Sequence, residues 1–173
     1  APSAENINVE AGPGSGKTHL LTMKCAKLIY NERVDPENIL VLAYNRAVVV
    51  ELRSRLDHLF AQLGLSRSAS RIHAHTFHSL AKRICGTAEL EDLEMKDWEK
   101  TLLHKIQNSP QDIRLRMPKL RYIFIDEFQD ITQTRLDAML ALRKVYRSSG
   151  LTFFTIGDKD QSIYGFDKKE SPS

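Results

Sequence analysis

The sequence predicts an α/β fold in which a parallel β-sheet is covered by helices on both faces, in three layers. Three observations lead to this prediction. Short apolar runs of strand length alternate with segments of helical periodicity, which is the pattern of βα units. The run at 39–44 is continuously apolar, as expected of a strand that is buried on both faces, and 122–126 is a second buried strand that runs into charge at Asp126. A glycine-rich turn at 12–16 separates the first strand from the first helix.

In the first half of the chain, three strands alternate with three helices. They are a strand around 7–9, a helix from 17 to about 32, a strand at 39–44, a helix from 46 to about 63, a strand at 71–75 and a helix from 76 or 77 to about 85. Asn45 is a good N-cap for the second helix, and Gly64 and Gly86 can end the second and the third. The segment 66–70 is short and mostly polar, so we expect a small polar loop there.

The second half contains a helical region and two further strands. Residues 89–107 are acidic and amphipathic, and we interpret them as one helical region. Pro110 and Pro118 bracket either a linker or a short helix. The pattern is completed by a strand at 122–126, a helix from 133 to about 148 and a strand at 151–156. Strands separated by helices predict βα units joined by right-handed crossovers.

The composition is that of an ordinary globular protein. Of the 173 residues, 42% are hydrophobic and 27% are charged. No apolar run approaches the roughly 20 residues of a transmembrane helix. Two cysteines are too few for a disulfide framework, so we expect a reduced, intracellular setting. The net charge of +3 does not by itself indicate nucleic-acid binding, and the acid-free stretch 58–88 is most simply interpreted, from charge alone, as a solvated basic face.

The segment AGPGSGKT, residues 11–18, has the composition and the context of a phosphate-binding loop, because it follows a strand and opens a helix. Glycines let backbone N–H groups surround an anion, and the helix start adds unpaired N–H groups and its positive dipole end. The lysine can reach the β- and γ-phosphates of a nucleotide, and the threonine hydroxyl can hold Mg²⁺. The strict signature has glycine where this chain has alanine. The predicted nucleotide-binding residues here are Ala11, Gly12, Pro13, Gly14, Ser15, Gly16, Lys17, Thr18 and His19.

Two adjacent carboxylates, Asp126 and Glu127, end the apolar strand YIFID in a Walker B arrangement. Asp126 can hold Mg²⁺ opposite Thr18, and Glu127 can orient and deprotonate an attacking water. A strand that ends in Asp-Glu is weak evidence alone, but it is strong about a hundred residues after a phosphate-binding loop. Gln161 lies in TIGDKDQSIYGF and can sense a γ-phosphate, although this segment alone is more simply interpreted as a polar loop.

Four segments together resemble the motifs of UvrD/Rep-like superfamily-one DNA helicases. These are AGPGSGKT, AHTFHSLAKRI, YIFIDEFQD and IGDKDQSIYGF, and ILVLAYNRA resembles a further motif of the family. The segments occur in family order and span residues 11–166. The resemblance implies a RecA-like motor lobe that binds ATP and Mg²⁺ and tracks single-stranded DNA, usually 3′ to 5′.

The resemblance also assigns roles to individual residues. It implies that Lys17, Thr18, Asp126 and Glu127 act as described above, and that Gln129 and Gln161 couple the γ-phosphate to motion. The residues that it places against DNA are Thr76, Phe77, His78, Tyr164 and Phe166, with Tyr44 and Asn45 as weaker candidates. Aromatic rings can stack on bases without sequence preference. The positive balance of 58–88 can then be interpreted as phosphate contact.

The sequence departs from the family pattern in ways that set further expectations. An upstream glutamine motif that recognises adenine is missing, and residues 87–120 leave room only for a short helical insertion. We expect 1–173 to be a single RecA-like ATP-binding domain that lacks the second motor lobe and is incomplete for turnover alone. Two alternatives stay open: a nucleotide-gated DNA-binding or regulatory module without catalysis, and the ATPase part of a helicase–nuclease.

Overall fold

A computed structural model describes residues 6–10, 16–127 and 130–157, with 6–10 described by their backbone alone. These residues contain a five-stranded sheet in which every neighbouring pair of strands is parallel. The strands are β1 (Asn6–Glu10), β2 (Ile39–Leu42), β3 (His73–His75), β4 (Tyr122–Asp126) and β5 (Thr152–Gly157). Their order across the sheet is β1-β5-β4-β2-β3, so β5 separates the first strand from β4.

The strand register brings the carboxyl ends of all five strands to one edge of the sheet, which we call the carboxyl edge. Glu10 lies opposite Gly157, and Asp126 lies opposite Ile156. On the other side of β4, Leu42 is opposite Ile125 and also opposite the last residue of β3. In open parallel sheets, ligands bind beyond this edge. The segments that follow β1, β2, β3 and β4 therefore emerge where a ligand site is expected.

Helices connect the strands. The α-helices are α1 (Gly16–Ala26), α2 (Arg46–Gln62), α3 (Ser68–Arg71), α4 (Phe77–Cys85), α5 (Thr87–Leu90), α6 (Met95–Asn108), α7 (Pro110–Arg116) and α8 (Gln133–Val145). A π-helical turn, Lys27–Asn31, extends α1, and short 3₁₀ turns occupy Pro36–Asn38 and Arg147–Ser149. None of the helices in the described ranges combines the length and the apolar composition needed to cross a membrane.

Two apolar cores cover the two faces of the sheet, because successive residues of a strand point to opposite faces. Along β4, Ile123 and Ile125 pack against α4, α6, α7 and α8, whereas Tyr122 and Phe124 pack against α1, α2 and α3. The ring of Phe124 stacks on that of Phe154 from β5, with centroids 4.6 Å apart. The continuously apolar character of the central strands thus follows from burial on both faces, and the predicted three-layer α/β architecture is confirmed.

Several boundaries differ from the sequence prediction, among them that of the strand predicted at 71–75, which begins at His73 because Arg71 still belongs to α3. The expected loop at 66–70 contains the start of the short helix α3. The expected single helix at 89–107 is two helices, α5 and α6. The acidic residues Glu91, Asp92 and Glu94 lie between them, and the like charges of Glu91 and Glu94, three residues apart, oppose a helix. Of the two possibilities for 110–118, the short helix is present as α7, and its first residue is Pro110, a favoured N1 residue. The predicted strand at 39–44 ends at Leu42.

Candidate nucleotide site and adjoining groove

Lys17 and Glu127, which are 110 positions apart in the sequence, form an ion pair at the carboxyl edge. Lys17 is the second residue of α1, and Glu127 directly follows β4. Their side chains are 20% and 23% exposed, so the pair is open to solvent on one side. The structure therefore brings together the lysine of the predicted phosphate-binding loop and one of the two predicted downstream carboxylates.

Asp126 is the buried member of the carboxylate pair, with 8% of its surface exposed. Its Oδ2 accepts a hydrogen bond from the backbone N–H of Tyr44 at 3.4 Å, whereas its Oδ1 is buried and has no hydrogen-bond partner among the described residues. Burial raises the pKa of this carboxyl above its ordinary value, and the charge of Glu127 raises it further, while the Tyr44 N–H and Lys17 oppose the rise. A buried carboxylate oxygen without a partner is a group that a cation would satisfy.

The donor set at this edge fits Mg²⁺, which prefers oxygen ligands and is usually held by one or two carboxylates together with phosphate oxygens. The unpartnered oxygen of Asp126 supplies one such ligand. Thr18 is 4% exposed and offers a hydroxyl oxygen from the first turn of α1. Its backbone carbonyl is already engaged, since it accepts a hydrogen bond from the Thr22 hydroxyl at 2.8 Å. The residues that could hold the metal are thus Asp126 and Thr18.

The backbone of Glu127 has a φ of +54°, in the left-handed region that residues other than glycine rarely adopt. The turn is closed by a hydrogen bond of 3.0 Å from the Asp130 N–H to the Glu127 carbonyl. Such conformations cost about 1–3 kcal/mol and are concentrated at functional sites. This turn ends β4 abruptly and leaves the Glu127 side chain beside Lys17.

The start of α1 provides the other half of the candidate nucleotide site. The helix begins at Gly16, and the space where a Cβ would stand on that residue is open within the described structure. His19 is exposed in the first turn. The remaining predicted residues lie outside the described ranges, and these are Ala11, Gly12, Pro13, Gly14, Ser15, Gln129, Gln161, Tyr164 and Phe166.

Five predicted DNA-contacting residues lie together in one groove of about 720 Å³ at the carboxyl edge, next to the nucleotide site. We call it the groove and define it by its lining residues. These are Tyr44, Asn45, Arg46, Val49, Val50, Thr76, Phe77, His78, Ser79, Lys82, Met95, Trp98 and Arg135. One wall is the start of α2, and the other is formed by α4 and α6. The segments after β2 and β3, which are far apart in sequence, thus meet around one opening.

The five predicted residues do not have equal access to the groove. Tyr44 is 57% exposed and is the open aromatic residue among them. Asn45 and Thr76 use their side-chain oxygens as helix caps, accepting hydrogen bonds from Val48 N and Ser79 N at 3.0 and 3.1 Å. Phe77 is only 5% exposed, because its ring belongs to the core beneath the groove. This burial leaves little of the Phe77 ring available for the DNA contact that the resemblance implies.

The sequence analysis missed Trp98 as a lining residue, because the helical periodicity of 89–107 places it on the apolar stripe of α6. The structure has its ring only partly buried at the groove, where the His78 ring meets it edge-on at 6.0 Å and Lys82 Nζ lies 5.4 Å from its centroid. Arg135 from α8 was also missed, and its guanidinium lies 4.8 Å from the Phe77 ring centroid. The spacing of His78 and Lys82, four residues apart, indicates a shared helix face, but nothing in the sequence indicates which ring packs against it.

Comparisons with known proteins identify DNA helicases as similar to this chain. The family model of the UvrD/REP helicase N-terminal domain matches residues 1–96 and 85–171. The ATP-dependent DNA helicase SRS2 of Saccharomyces cerevisiae is 34% identical over 53% of this chain and 8% of its own length. The ATP-dependent DNA helicase PcrA of Staphylococcus epidermidis is 37% identical over 44% of the chain and 10% of its own length. A probable DNA helicase II homolog of Rickettsia felis is 22% identical over 90% of the chain, which spans 35% of that relative. The chain therefore corresponds to a minor part of each of these relatives.

Proposed function

The chain belongs to the UvrD/REP helicase N-terminal domain family, which has the RecA-like P-loop fold, and from that premise we propose that it is the ATP-binding motor lobe of a DNA helicase. One observation carries the proposal: the lysine of the glycine loop and the Asp126–Glu127 pair lie at one edge of the sheet. A triphosphate bound at the start of α1 would place its outer phosphates beside these carboxylates.

Each residue of the site has a role that follows from its chemistry. Lys17 binds the β- and γ-phosphate oxygens. Thr18 and Asp126 would hold Mg²⁺, which would supply neutralisation of the charge that develops during phosphoryl transfer. Glu127 orients the attacking water and accepts its proton. Since Lys17 and Glu127 pair with each other in this structure, the incoming phosphates compete with Glu127 for the ammonium group, and their binding displaces the carboxylate from it.

We propose further that the groove binds single-stranded DNA. The open ring of Tyr44 offers a stacking surface for bases, and exposed Arg46 and Lys82 offer cations for phosphates. In the full-length protein, ATP hydrolysis drives translocation and duplex unwinding, with the 3′ to 5′ polarity that the resemblance implies. A second motor lobe completes the catalytic site there, and Gln129 and Gln161 couple the γ-phosphate to the motion.

A titration with a fluorescent ATP analogue tests the nucleotide site. We expect Lys17→Ala to weaken binding by about tenfold to a hundredfold, because it removes charge-assisted hydrogen bonds to phosphate. Lys27→Ala is the matched control, since Lys27 is an exposed lysine farther along the same helical segment. Wild-type affinity in Lys17→Ala contradicts the assignment of the loop. The isolated chain should bind nucleotide yet hydrolyse it slowly, and fast DNA-stimulated hydrolysis contradicts the proposed need for a second lobe.

A further inference from the structure

Lys82 is an exposed cation held over a neutral ring at the rim of the groove. It lies on α4, one turn after His78, and its Nζ is 5.4 Å from the centroid of the Trp98 ring. Within the described ranges, no carboxylate lies within ion-pair distance of this ammonium group. A cation–π contact orients an ammonium group without neutralising its charge. The contact with Trp98 therefore orients the Lys82 ammonium group at the groove without offsetting its charge.

The neighbouring carboxylate is engaged elsewhere, which explains why Lys82 is not neutralised. Glu99 directly follows Trp98, and both Nε and Nη2 of Arg135 donate to its Oε1 at 2.7 Å. His78 Nε2 lies 3.4 Å from the same oxygen. Glu99 is only 15% exposed, so little of it is open to other cations. Glu99 therefore neutralises the charge of Arg135, and the Lys82 ammonium group stays exposed to solvent.

Trp98 is anchored independently of Lys82. Its indole N–H donates to the Leu93 carbonyl at 3.3 Å, in the turn that precedes α6. The edge-on contact with the His78 ring, at an interplanar angle of 82°, fixes the ring from the side of α4. The ring is thus a rigid support in place before any ligand arrives. Exposed Tyr44 and Val50 line the same groove. A single strand of nucleic acid in the groove could therefore contact apolar surface and a cation together.

We propose that Lys82 contacts a phosphate of single-stranded nucleic acid in the groove and that Trp98 is the positioning residue that holds its ammonium group there. The inference rests on the proposed function of the groove and adds to it a residue from the helical segment 87–120. In this proposal Trp98 acts through Lys82. The alternative is that Trp98 stacks directly on a base, and the experiments below distinguish the two.

The first test is the salt dependence of binding, measured by the fluorescence anisotropy of a labelled oligothymidylate with the 173-residue chain. Lys82→Met keeps an unbranched apolar side chain at this position and removes the charge. We expect the slope of log K against log salt concentration to shrink by about 0.7, the value for one phosphate contact on a single strand. Lys100→Met, an exposed lysine of α6 outside the groove lining, should leave the slope unchanged.

The second test is a double-mutant cycle between Trp98 and Lys82. Trp98→Leu should weaken oligothymidylate binding by about threefold in the wild-type background, a cation–π-sized effect, and should have almost no effect in the Lys82→Met background. Trp98→Phe keeps an aromatic face and should retain most of the affinity. An equal loss in both backgrounds overturns the positioning role and assigns Trp98 a contact of its own. Circular dichroism and thermal unfolding confirm that each variant is folded.

Trp98 is the only tryptophan of the sequence, so its emission reports directly on this contact. Saturating oligothymidylate should change the emission as a phosphate joins the ammonium group that is held over the ring, and the change should be smaller in Lys82→Met. If the oligonucleotide binds while the salt slope of Lys82→Met equals that of the wild type, this inference is wrong and the proposed groove function stands. If no binding is detected at low salt, both are wrong.

Discussion

The two ends of the carboxyl edge differ in whether their cationic side chains are paired with carboxylates. At the nucleotide end, Lys17 and Glu127 form an ion pair next to the buried carboxylate of Asp126. At the groove end, Arg46 and Lys82 are exposed, and within the described ranges neither has a carboxylate partner at ion-pair distance. A compact phosphate–metal complex can be bound by a cation and an anion that form an ion pair with each other before the complex binds. An extended polyanion is better attracted by cations that stay uncompensated.

A hydrogen bond from the backbone N–H of Tyr44 to Oδ2 of Asp126 joins the two ends. Tyr44 belongs to the groove, and Asp126 belongs to the candidate nucleotide site. Because this contact uses only the backbone of Tyr44, a change of its side chain leaves the link in place. The comparison therefore predicts that side-chain substitutions at each end act on one ligand only.

The largest effect is expected for Asp126→Asn. Loss of a carboxylate ligand should weaken Mg²⁺ binding by at least about tenfold, which we would measure as the Mg²⁺ dependence of nucleotide affinity. The same variant should raise the melting temperature by about 2–4 °C, because a buried carboxylate with an unpartnered oxygen is replaced by a neutral amide. A melting temperature below that of the wild type, with unchanged Mg²⁺ dependence, contradicts both the burial argument and the metal role.

Tyr44→Ala should act on the other end alone. We expect a loss of about 1–3 kcal/mol in the affinity for oligothymidylate, the range for one base stacked on an aromatic ring, and no change in nucleotide affinity. Tyr30→Ala is the control, because Tyr30 is similarly exposed, at 53%, but lies on the π-helical turn after α1. Anisotropy titrations measure the first affinity and a fluorescent ATP analogue the second. Equal losses in the two tyrosine variants are inconsistent with a stacking role for Tyr44.

Much of the fold could be predicted from sequence because local rules govern it, and the meeting of Lys17 with Glu127 was predictable because both follow strands of one parallel sheet at its carboxyl edge. Strands buried on both faces are continuously apolar, and Asn45 and Thr76 cap helices through contacts three residues away. The groove was only half predictable. Its second wall depends on which helix packs across α4, and the contact between Lys82 and Trp98 has no sequence signal because it joins two helices whose packing is set by the whole core.

A smaller effect is expected below the groove, where burial on β3 lowers the pKa of His75 to about 4, assisted by the charges of His73, Arg53 and Arg83. The pKa in the folded chain thus lies below the ordinary value of 6.5, so the unfolded chain binds a proton that the folded chain excludes. The free energy of unfolding should therefore fall as the pH falls from 6.5 towards 4.

Denaturant titrations across this pH range test the effect, which we expect to be on the order of 1 kcal/mol for His75 after allowance for partial exposure. His75→Gln should flatten the dependence, because glutamine can keep the contact with the Ser79 hydroxyl, 2.7 Å from Nδ1, without titrating. His104→Gln, a surface substitution on α6, is the control for the loss of a histidine. If the free energy of unfolding of His75→Gln depends on pH as steeply as that of the wild type, titration of other groups causes the pH dependence.

The smallest predicted effect concerns the ion pair that distinguishes the nucleotide end. Glu127→Gln removes the competitor for Lys17, and an ion pair of this exposure is worth about 0.2–1 kcal/mol. We therefore expect affinity for the fluorescent ATP analogue to rise by about twofold to fivefold, while oligothymidylate affinity stays the same. Glu51→Gln breaks the surface pair with Arg55 on α2 and should change neither affinity. Weaker nucleotide binding in Glu127→Gln would mean that this carboxylate helps to hold the ligand. The ion pair would then not be a contact that the nucleotide replaces when it binds.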